Sequence, residues 1–515
     1  MQDSSTNTVD WKNIEWLVFL ISGGVLLFFV IASLANVEAV SGWVDTAFAW
    51  SAKYFGAYWQ WLVFLNFIIA IIIAFSKFGN VKLGNRDTPE FTTFRWISII
   101  MCTLLAGGGV FWSAAEPMYH FLTPPPSFTG VEGSTEAAVV PAMEQAFLHW
   151  GFLAWSILGT CGAIVLMYAH YHRGMPLKSR ALLYPLFGER IMYNNWGKVV
   201  EALCILAVAA GTIGPIGFLG LQVSYALQEL FGIPDVYMTQ LTIIIALMIL
   251  YTISAITGLH RGIQFLSRFN VILAFILAGI ILLLGPAGFI VDTFSTSFGT
   301  YIKDFTRLSL YRGDSSWLSW WTVFFWGWFV GYGPLMAILV ARISRGRSIR
   351  QIICGVGVVA PIATHIWFTV LGGSGIFFEL QNPGVISEPL NASGLPAALV
   401  AIVQQVPGSV VLVPAFLVLI FIFLATTGDS MSLSIAICST GYEDPPRGMR
   451  VFWAILMGVV AALLIYMGEG GIGALQSFIV ITAVPVGLIM LPSLWDGPRC
   501  AMRLYEEQRG EIEGR

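Results

Sequence analysis

Three groups of side chains in this 515-residue sequence have types and spacings that could do chemistry. The first is aromatic. Trp150 and Trp155 lie in His149-Trp150-Gly151-Phe152-Leu153-Ala154-Trp155. Trp326, Trp328, Phe329 and Tyr332 crowd into Trp326-Gly327-Trp328-Phe329-Val330-Gly331-Tyr332-Gly333-Pro334. Indole and phenol faces attract a methylated ammonium by cation–π interaction, worth up to about 2 kcal/mol each when desolvated. A box of such faces binds a charge that has no hydrogen to donate. The second group is Phe423-Leu424-Ala425-Thr426-Thr427-Gly428-Asp429-Ser430, two threonines and an aspartate inside an apolar run. Hydroxyls and freed carbonyls are hard oxygen ligands suited to a small cation; the alternative is hydrogen bonding between helices. The third group is glycine, at Ala106-Gly107-Gly108-Gly109, at Gly211-Thr212-Ile213-Gly214-Pro215-Ile216-Gly217, and among the aromatics after Trp326. Each Gly costs about 1 kcal/mol relative to Ala in a helix, and Pro about 3. Such clusters loosen a helix and free carbonyls to face a ligand, or else let neighbouring helices approach closely.

All three groups fall in stretches that composition assigns to lipid. Hydrophobic residues make up 57% of the chain, charged residues 11%, and the mean hydropathy is +0.79; soluble proteins carry about 25% charged residues. A soluble enzyme, a disordered chain and a nucleic-acid-binding protein are excluded, because apolar residues are too many to bury in a globule and basic ones too scattered to grip phosphates. The polar N-terminus lacks the basic region of a cleavable signal. Six cysteines without CxxC spacing indicate neither a metal site nor a disulfide framework. No nucleophile–base pair appears. His149 and His365 read as packed or hydrogen-bonded helix residues, and Glu116 as structural. The closing IEGR is a protease-recognition sequence and carries no functional weight.

Twelve segments are apolar and long enough to span a bilayer: 14–35, 57–76, 96–118, 143–170, 199–224, 238–257, 266–291, 317–341, 351–378, 408–437, 451–467 and 474–495. Twenty apolar residues in lipid must satisfy their own backbone, so they are helices. With the N-terminus inside, only Lys53, Lys303, Arg307 and Arg312 fall outside, leaving the other 22 of the 26 basic residues in the cytoplasm. Both ends are therefore expected in the cytoplasm, and the protein in the cytoplasmic (inner) membrane. In 292–316, Phe294, Phe298, Tyr301, Ile302, Phe305 and Leu308 recur at helical spacing, with Lys303, Asp304 and Arg307 between them. This predicts an amphipathic helix at the outer interface, over the extracellular mouth or between protomers. The organisation read is 1–95 for the N-terminal segment and spans 1–2, 96–291 for a first repeat, 292–316 for the interfacial helix, 317–495 for a second repeat, and 496–515 for a short tail. Spans 3 and 8 are then each first in a repeat, where transporters place broken helices.

The stretch Trp321-Thr322-Val323-Phe324-Phe325-Trp326-Gly327-Trp328, running on to Ala341-Arg342-Ile343-Ser344-Arg345-Gly346-Arg347-Ser348-Ile349-Arg350, resembles the betaine/choline/carnitine transporter family. The His149–Trp155 heptapeptide and Glu116-Pro117 support the resemblance, which covers nearly the whole chain. It implies an all-α membrane protein of twelve transmembrane helices, with spans 3–12 as two inverted five-helix repeats in the fold of sodium symporters of neurotransmitters, and a homotrimer. Trp150 and Trp155 match the family's span 4 tryptophans. Trp328, Phe329 and Tyr332 match its span 8 aromatics, and Trp326 stands beside them. Phe329 replaces the usual Trp, Leu158 a Tyr that helps close the box, and Gly333 a frequent Ser, so a bulkier or differently charged zwitterion fits as well as glycine betaine.

The resemblance also bears on coupling. Thr426 and Thr427 match the hydroxyl pair that binds sodium in sodium-coupled members, with Leu105 offering a span 3 carbonyl. Asn270 stands where sodium-independent exchangers carry an arginine, and a neutral residue there implies sodium symport. Thr212 and Phe423 match a second sodium position, from which Val208 and Leu335 depart. The expected activity is secondary transport of a methylated-onium solute of betaine, choline or carnitine type, with Na+ as coupling ion, no cofactor and no nucleic-acid partner. The alternatives are sodium-independent substrate/product exchange, or carriage of a sulfonium (dimethylsulfoniopropionate) or an amino-sulfonate (taurine). An enzyme is not expected. Short tails imply little tail-based osmotic gating.

Overall fold

The computed structural model describes residues 14–104, 108–257, 260–441 and 445–513. Among them regular structure is helical throughout, apart from one isolated β-bridge between Lys82 and Ser348. Eleven helices among the described residues are long and apolar enough to cross a membrane. The twelfth crossing, span 3, is two arms, Thr93–Leu104 and Val110–Leu122. At 1.5 Å per residue each arm is roughly 20 Å long, against a hydrocarbon core of about 30 Å, so only together do they cross. This is an all-α, twelve-span membrane architecture.

Two expected breaks are absent. Span 5 runs unbroken from Asn195 to Phe231 through all the glycines around Pro215. Span 8 runs unbroken from Thr322 to Ile343 through its glycines and Pro334; its discontinuity falls earlier, at Trp321, after a short helix Ser315–Trp320. The glycines there serve packing. A Cβ on Gly214 would lie 2.5 Å from Ile479, one on Gly217 would overlap Leu475, and one on Gly331 would lie 3.4 Å from both Ala207 and Ala483. Neighbouring helices occupy the space a side chain would need, and that contact offsets the propensity cost.

Other departures are local. Span 2 is a single helix, Val37–Phe75, twice the length that hydropathy marks. Asn36 starts it by accepting a hydrogen bond from the Ala39 N–H at 3.0 Å. Asp45 and Lys53 lower the hydropathy of its first half without stopping the helix. Span 4 is divided at Gly151 and Thr160 into Val139–Trp150, Phe152–Gly159 and Cys161–Met167. Span 9 carries two π-turns, Gly355–Val359 and Thr369–Gly373.

The interfacial helix is Ala287–Ser309. It packs on the bundle: Phe294 meets Phe147 at 6.2 Å, Tyr301 stacks on Phe152 at 5.8 Å, and Phe305 meets Phe67 at 5.5 Å. Arg307 pairs with Asp304 on its polar face at 2.8 Å. At the end of the bundle rich in Lys and Arg, the 2–3 and 8–9 loops are laced together. The Gly346 N–H donates to the Leu83 carbonyl at 2.7 Å and the Ile349 N–H to Val81 at 2.9 Å. The Arg347 guanidinium lies over Trp96 at 4.2 Å. The terminal helix Ser493–Glu513 docks there, with the Gln508 amide donating to the Lys82 carbonyl at 2.7 Å.

Candidate functional site

Trp150 ends the first segment of span 4, where Gly151 turns the chain. Gly151 has no room for a side chain, since a Cβ would lie 2.5 Å from the His365 ring. Trp328 and Phe329 are successive residues of span 8, and their rings are nearly parallel, 6° apart with centroids at 5.8 Å. The Trp150 indole stands across both, at 5.9 Å and 88° from Trp328 and at 5.4 Å and 84° from Phe329. All three are buried. Together they make a corner: one indole wall and a two-ring wall at right angles. Phe325, one turn along span 8, and Phe368 of span 9 extend it, at 5.7 and 5.2 Å from Trp150. Nothing in their sequence context singles out these two.

Spans 3 and 5 hold the corner from behind. The Trp328 Nε1–H donates to the Gly211 carbonyl at 3.1 Å, and the Tyr332 hydroxyl meets the Thr212 hydroxyl at 3.1 Å. A Cβ on Gly211 would lie 2.6 Å from the Tyr332 ring. Gly108 has φ +153°, and its Cβ would lie 2.6 Å from the Trp328 ring. These two glycines let backbone lie directly against aromatic faces, at positions no other residue fills.

Two predicted members make other contacts. Trp155, beyond the Gly151 turn, donates its Nε1–H to the Thr364 hydroxyl of span 9 at 3.1 Å. Trp326 sits two residues before Trp328, about 200° around the helix. It faces His149 at 5.9 Å rather than the corner.

Beyond the corner toward the end opposite the basic loops, aromatics are stacked in layers. Trp112 meets Phe325 at 5.0 Å, Phe324 at 5.6 Å and Trp321 at 6.0 Å, and Tyr119 covers Trp321 at 4.5 Å. On the other side, toward the basic loops, a narrow crevice is lined by Ser179, Cys204, Ile205, Val208, Leu335, Ser434, Ile435 and Cys438.

Behind Trp150 lies a buried polar cluster built on Glu116 and His149. Glu116, His120 and His149 are all fully buried. The Trp150 Nε1–H donates to Glu116 Oε2 at 2.9 Å, and His149 Nδ1 meets Glu116 Oε1 at 2.5 Å. His149 Nε2 contacts Thr322 of span 8 at 2.9 Å and the Gln145 amide at 3.0 Å. The cluster ties spans 3, 4 and 8 together. Its signal in the sequence is Glu116-Pro117 and His149-Trp150, ionisable residues inside two apolar runs.

The ion-ligand candidates are dispersed along their helices. Leu105 lies outside the described residues. The Thr426 hydroxyl donates to the Ile422 carbonyl of its own helix at 2.8 Å. Thr427 is adjacent and half-buried. Thr212 donates to the Val208 carbonyl at 2.8 Å, and Phe423 is buried in span 10. The Asn270 amide of span 7 is buried and donates to the Leu419 carbonyl of span 10 at 3.0 Å.

A family model described as betaine/carnitine/choline family transporter matches residues 17–506. The chain is similar to glycine betaine transporter 2 of Vibrio parahaemolyticus, 52% identical over 491 residues that cover 95% of this chain and 91% of that one. It is similar to an ectoine/hydroxyectoine transporter of Virgibacillus pantothenticus, 33% identical over 482 residues, covering 92% and 94%. It is also similar to an ectoine/glycine betaine/proline transporter of Corynebacterium glutamicum, 35% identical over 502 residues, covering 93% and 79%. A match over nearly all of a twelve-span helical chain, through the very helices that build the aromatic corner, leaves one conclusion: this chain belongs to the betaine/carnitine/choline family of membrane transporters.

Proposed function

We propose that the chain is a sodium-coupled importer of a methylated-onium zwitterion of the glycine betaine type. The observation that carries this reading is the corner of Trp150 against the parallel Trp328 and Phe329 rings. Rings meeting edge to face at 5.4–5.9 Å leave no gap for a trimethylammonium group. The cation enters by parting Trp150 from the pair, and Gly151 supplies the point about which the Trp150 segment turns. The layers around Trp112 close one end of the path, and a narrow crevice beside Cys204 and Cys438 lies toward the other. Similarity to a glycine betaine transporter at 52% identity supports a betaine-type substrate.

Sodium is assigned to the span 10 hydroxyls. Thr426 donates its proton to Ile422, which leaves its lone pairs free to face a cation. Thr212 is poorer as a ligand, because its hydroxyl oxygen already meets the Tyr332 hydroxyl. Asn270 carries no charge that could stand in for the ion. A homotrimer in the inner membrane, with both ends in the cytoplasm, completes the reading; the 22 basic residues on one side support the orientation.

The test is uptake of labelled glycine betaine into proteoliposomes. An inward sodium gradient should drive it, and potassium should not. Choline, carnitine, ectoine, dimethylsulfoniopropionate and taurine as competitors rank the substrate class. Sodium-independent uptake stimulated by internal substrate would replace symport with exchange.

A further inference from the structure

We infer that Glu116 is the fixed negative charge of the onium site and acts on the bound cation through the Trp150 indole. The inference rests on the aromatic-corner reading proposed above and adds a charge to it. Glu116 lies in the second arm of span 3 and is fully buried. Each of its carboxylate oxygens has an N–H donor. Oε2 accepts from Trp150 Nε1 at 2.9 Å. Oε1 is 2.5 Å from His149 Nδ1. The proton on that imidazole can be located from its other side. His149 Nε2 faces the amide nitrogen of Gln145 at 3.0 Å, and an amide nitrogen only donates. With the Gln145 amide nitrogen turned toward it, Nε2 accepts and Nδ1 carries the hydrogen that goes to Glu116. In that arrangement both Glu116 oxygens accept, as they do in the ionised form.

The titratable groups facing Glu116 are His120, one turn along its own arm at 3.5 Å, and His149 of span 4. Span 8 contributes the Thr322 hydroxyl, through His149. Among the described residues no Lys or Arg pairs with Glu116. A buried charge without a counter-ion is costly, and in a membrane it marks a functional position. Here the counter-ion is the cation that the corner receives. The indole stands between the two, with its N–H on the carboxylate and its ring on the corner. A hydrogen bond to an anion pushes electron density into the ring, so the face that meets the cation becomes more attractive. The same bond fixes the angle at which Trp150 crosses Trp328 and Phe329. Glu116 is thus a positioning residue that also supplies charge, at one ring's remove from the substrate.

The experiment compares two probes of one shape on the full-length purified chain: glycine betaine and tert-butylacetate, its carbon isostere without the positive head. Binding is read from tryptophan fluorescence. Glu116→Gln should weaken glycine betaine by about ten-fold and leave tert-butylacetate unchanged, and Glu116→Asp should restore part of the loss. Equal losses for both probes would reduce Glu116 to a structural role and overturn the inference, as would an undiminished preference for the cation. Trp328→Leu, run alongside, tests the corner separately. If it abolishes cation binding while Glu116→Gln does nothing, the corner stands and only the charge is removed; if it does nothing, the corner itself fails. Glu116, His120 and His149 also bring three ligand atoms within 4.8 Å of one another. A melting temperature raised by micromolar Zn2+, and no longer raised in His120→Phe, would make the cluster a metal site and overturn the inference.

Discussion

Spans 3 and 8 carry comparable glycine clusters at matching places in the two proposed repeats, yet the helix parts in one and continues in the other. The described arms of span 3 are Thr93–Leu104 and Val110–Leu122, and the described backbone departs from the helical conformation at Gly108. The Gly109 carbonyl is taken by the Trp367 indole of span 9 at 3.2 Å, so a side chain satisfies at least one freed backbone group. Gly108 adopts φ +153° with the Trp328 ring pressed on it. In span 8 the glycines face outward to other helices: Gly327 to Trp59 at 3.1 Å, Gly331 to Ala207 and Ala483, and Gly333 to Met490 at 3.1 Å. The lesson is that low helix propensity permits a break without dictating one. A break forms where partners exist for the freed groups, and close packing forms where a neighbour fills the missing side chain.

That contrast can be broken or sharpened by substitution. The largest effect is expected at Gly108→Ala. A left-handed backbone and a ring 2.6 Å from the new carbon leave no accommodation, so uptake should be abolished while the protein still reaches the membrane, as surface labelling would check. Normal uptake would mean that the turn at Gly108 is dispensable. Next comes the pair on one helix. Trp328→Leu should raise the apparent KM for glycine betaine by about thirty-fold, the loss of a desolvated cation–π contact. Trp326→Leu, facing His149, should act mainly on folded yield; an equal KM effect from both would erase the distinction between the two faces of span 8.

A smaller change is expected from Thr426→Ala with Thr427→Ala. If sodium fastens the parted span 3 to span 10, the sodium concentration for half-maximal uptake should rise about ten-fold, the scale of one lost ligand pair. An unchanged sodium dependence measured in proteoliposomes would remove the ion from this position. The smallest effect belongs to Gly331→Ala. Its new methyl would meet Ala207 and Ala483 at ordinary contact distance. The melting temperature should move by only a few degrees, within the range of about 1 kcal/mol, and KM should stay within about two-fold. A large loss of uptake there would show that span 8 must open after all.

Part of the candidate site is legible in the sequence alone. Trp150, Trp328, Phe329 and Tyr332 stand out as aromatic density in lipid-embedded segments, and their contacts join spans 4, 5 and 8. Trp155 and Trp326 are indistinguishable from them by type. Only the turn at Gly151 and the helical phase of span 8 send these two to other neighbours. Glu116 and His149 stand out as polar residues in apolar runs. Their meeting across spans 3 and 4 does not, because 33 positions separate them in the chain.

Composition and hydropathy by themselves determined that this chain lives in a bilayer, that its segments are helices, and which loops gather its basic residues. The reason is thermodynamic: lipid offers the backbone no hydrogen bonds, so apolar length alone forces the helical answer. Which glycines bend the chain, which indoles share a corner, and where a carboxylate finds its donors were decided only by tertiary packing. Each of these depends on what a distant segment places within a few ångströms, and no local propensity of under about 1 kcal/mol per residue carries that information.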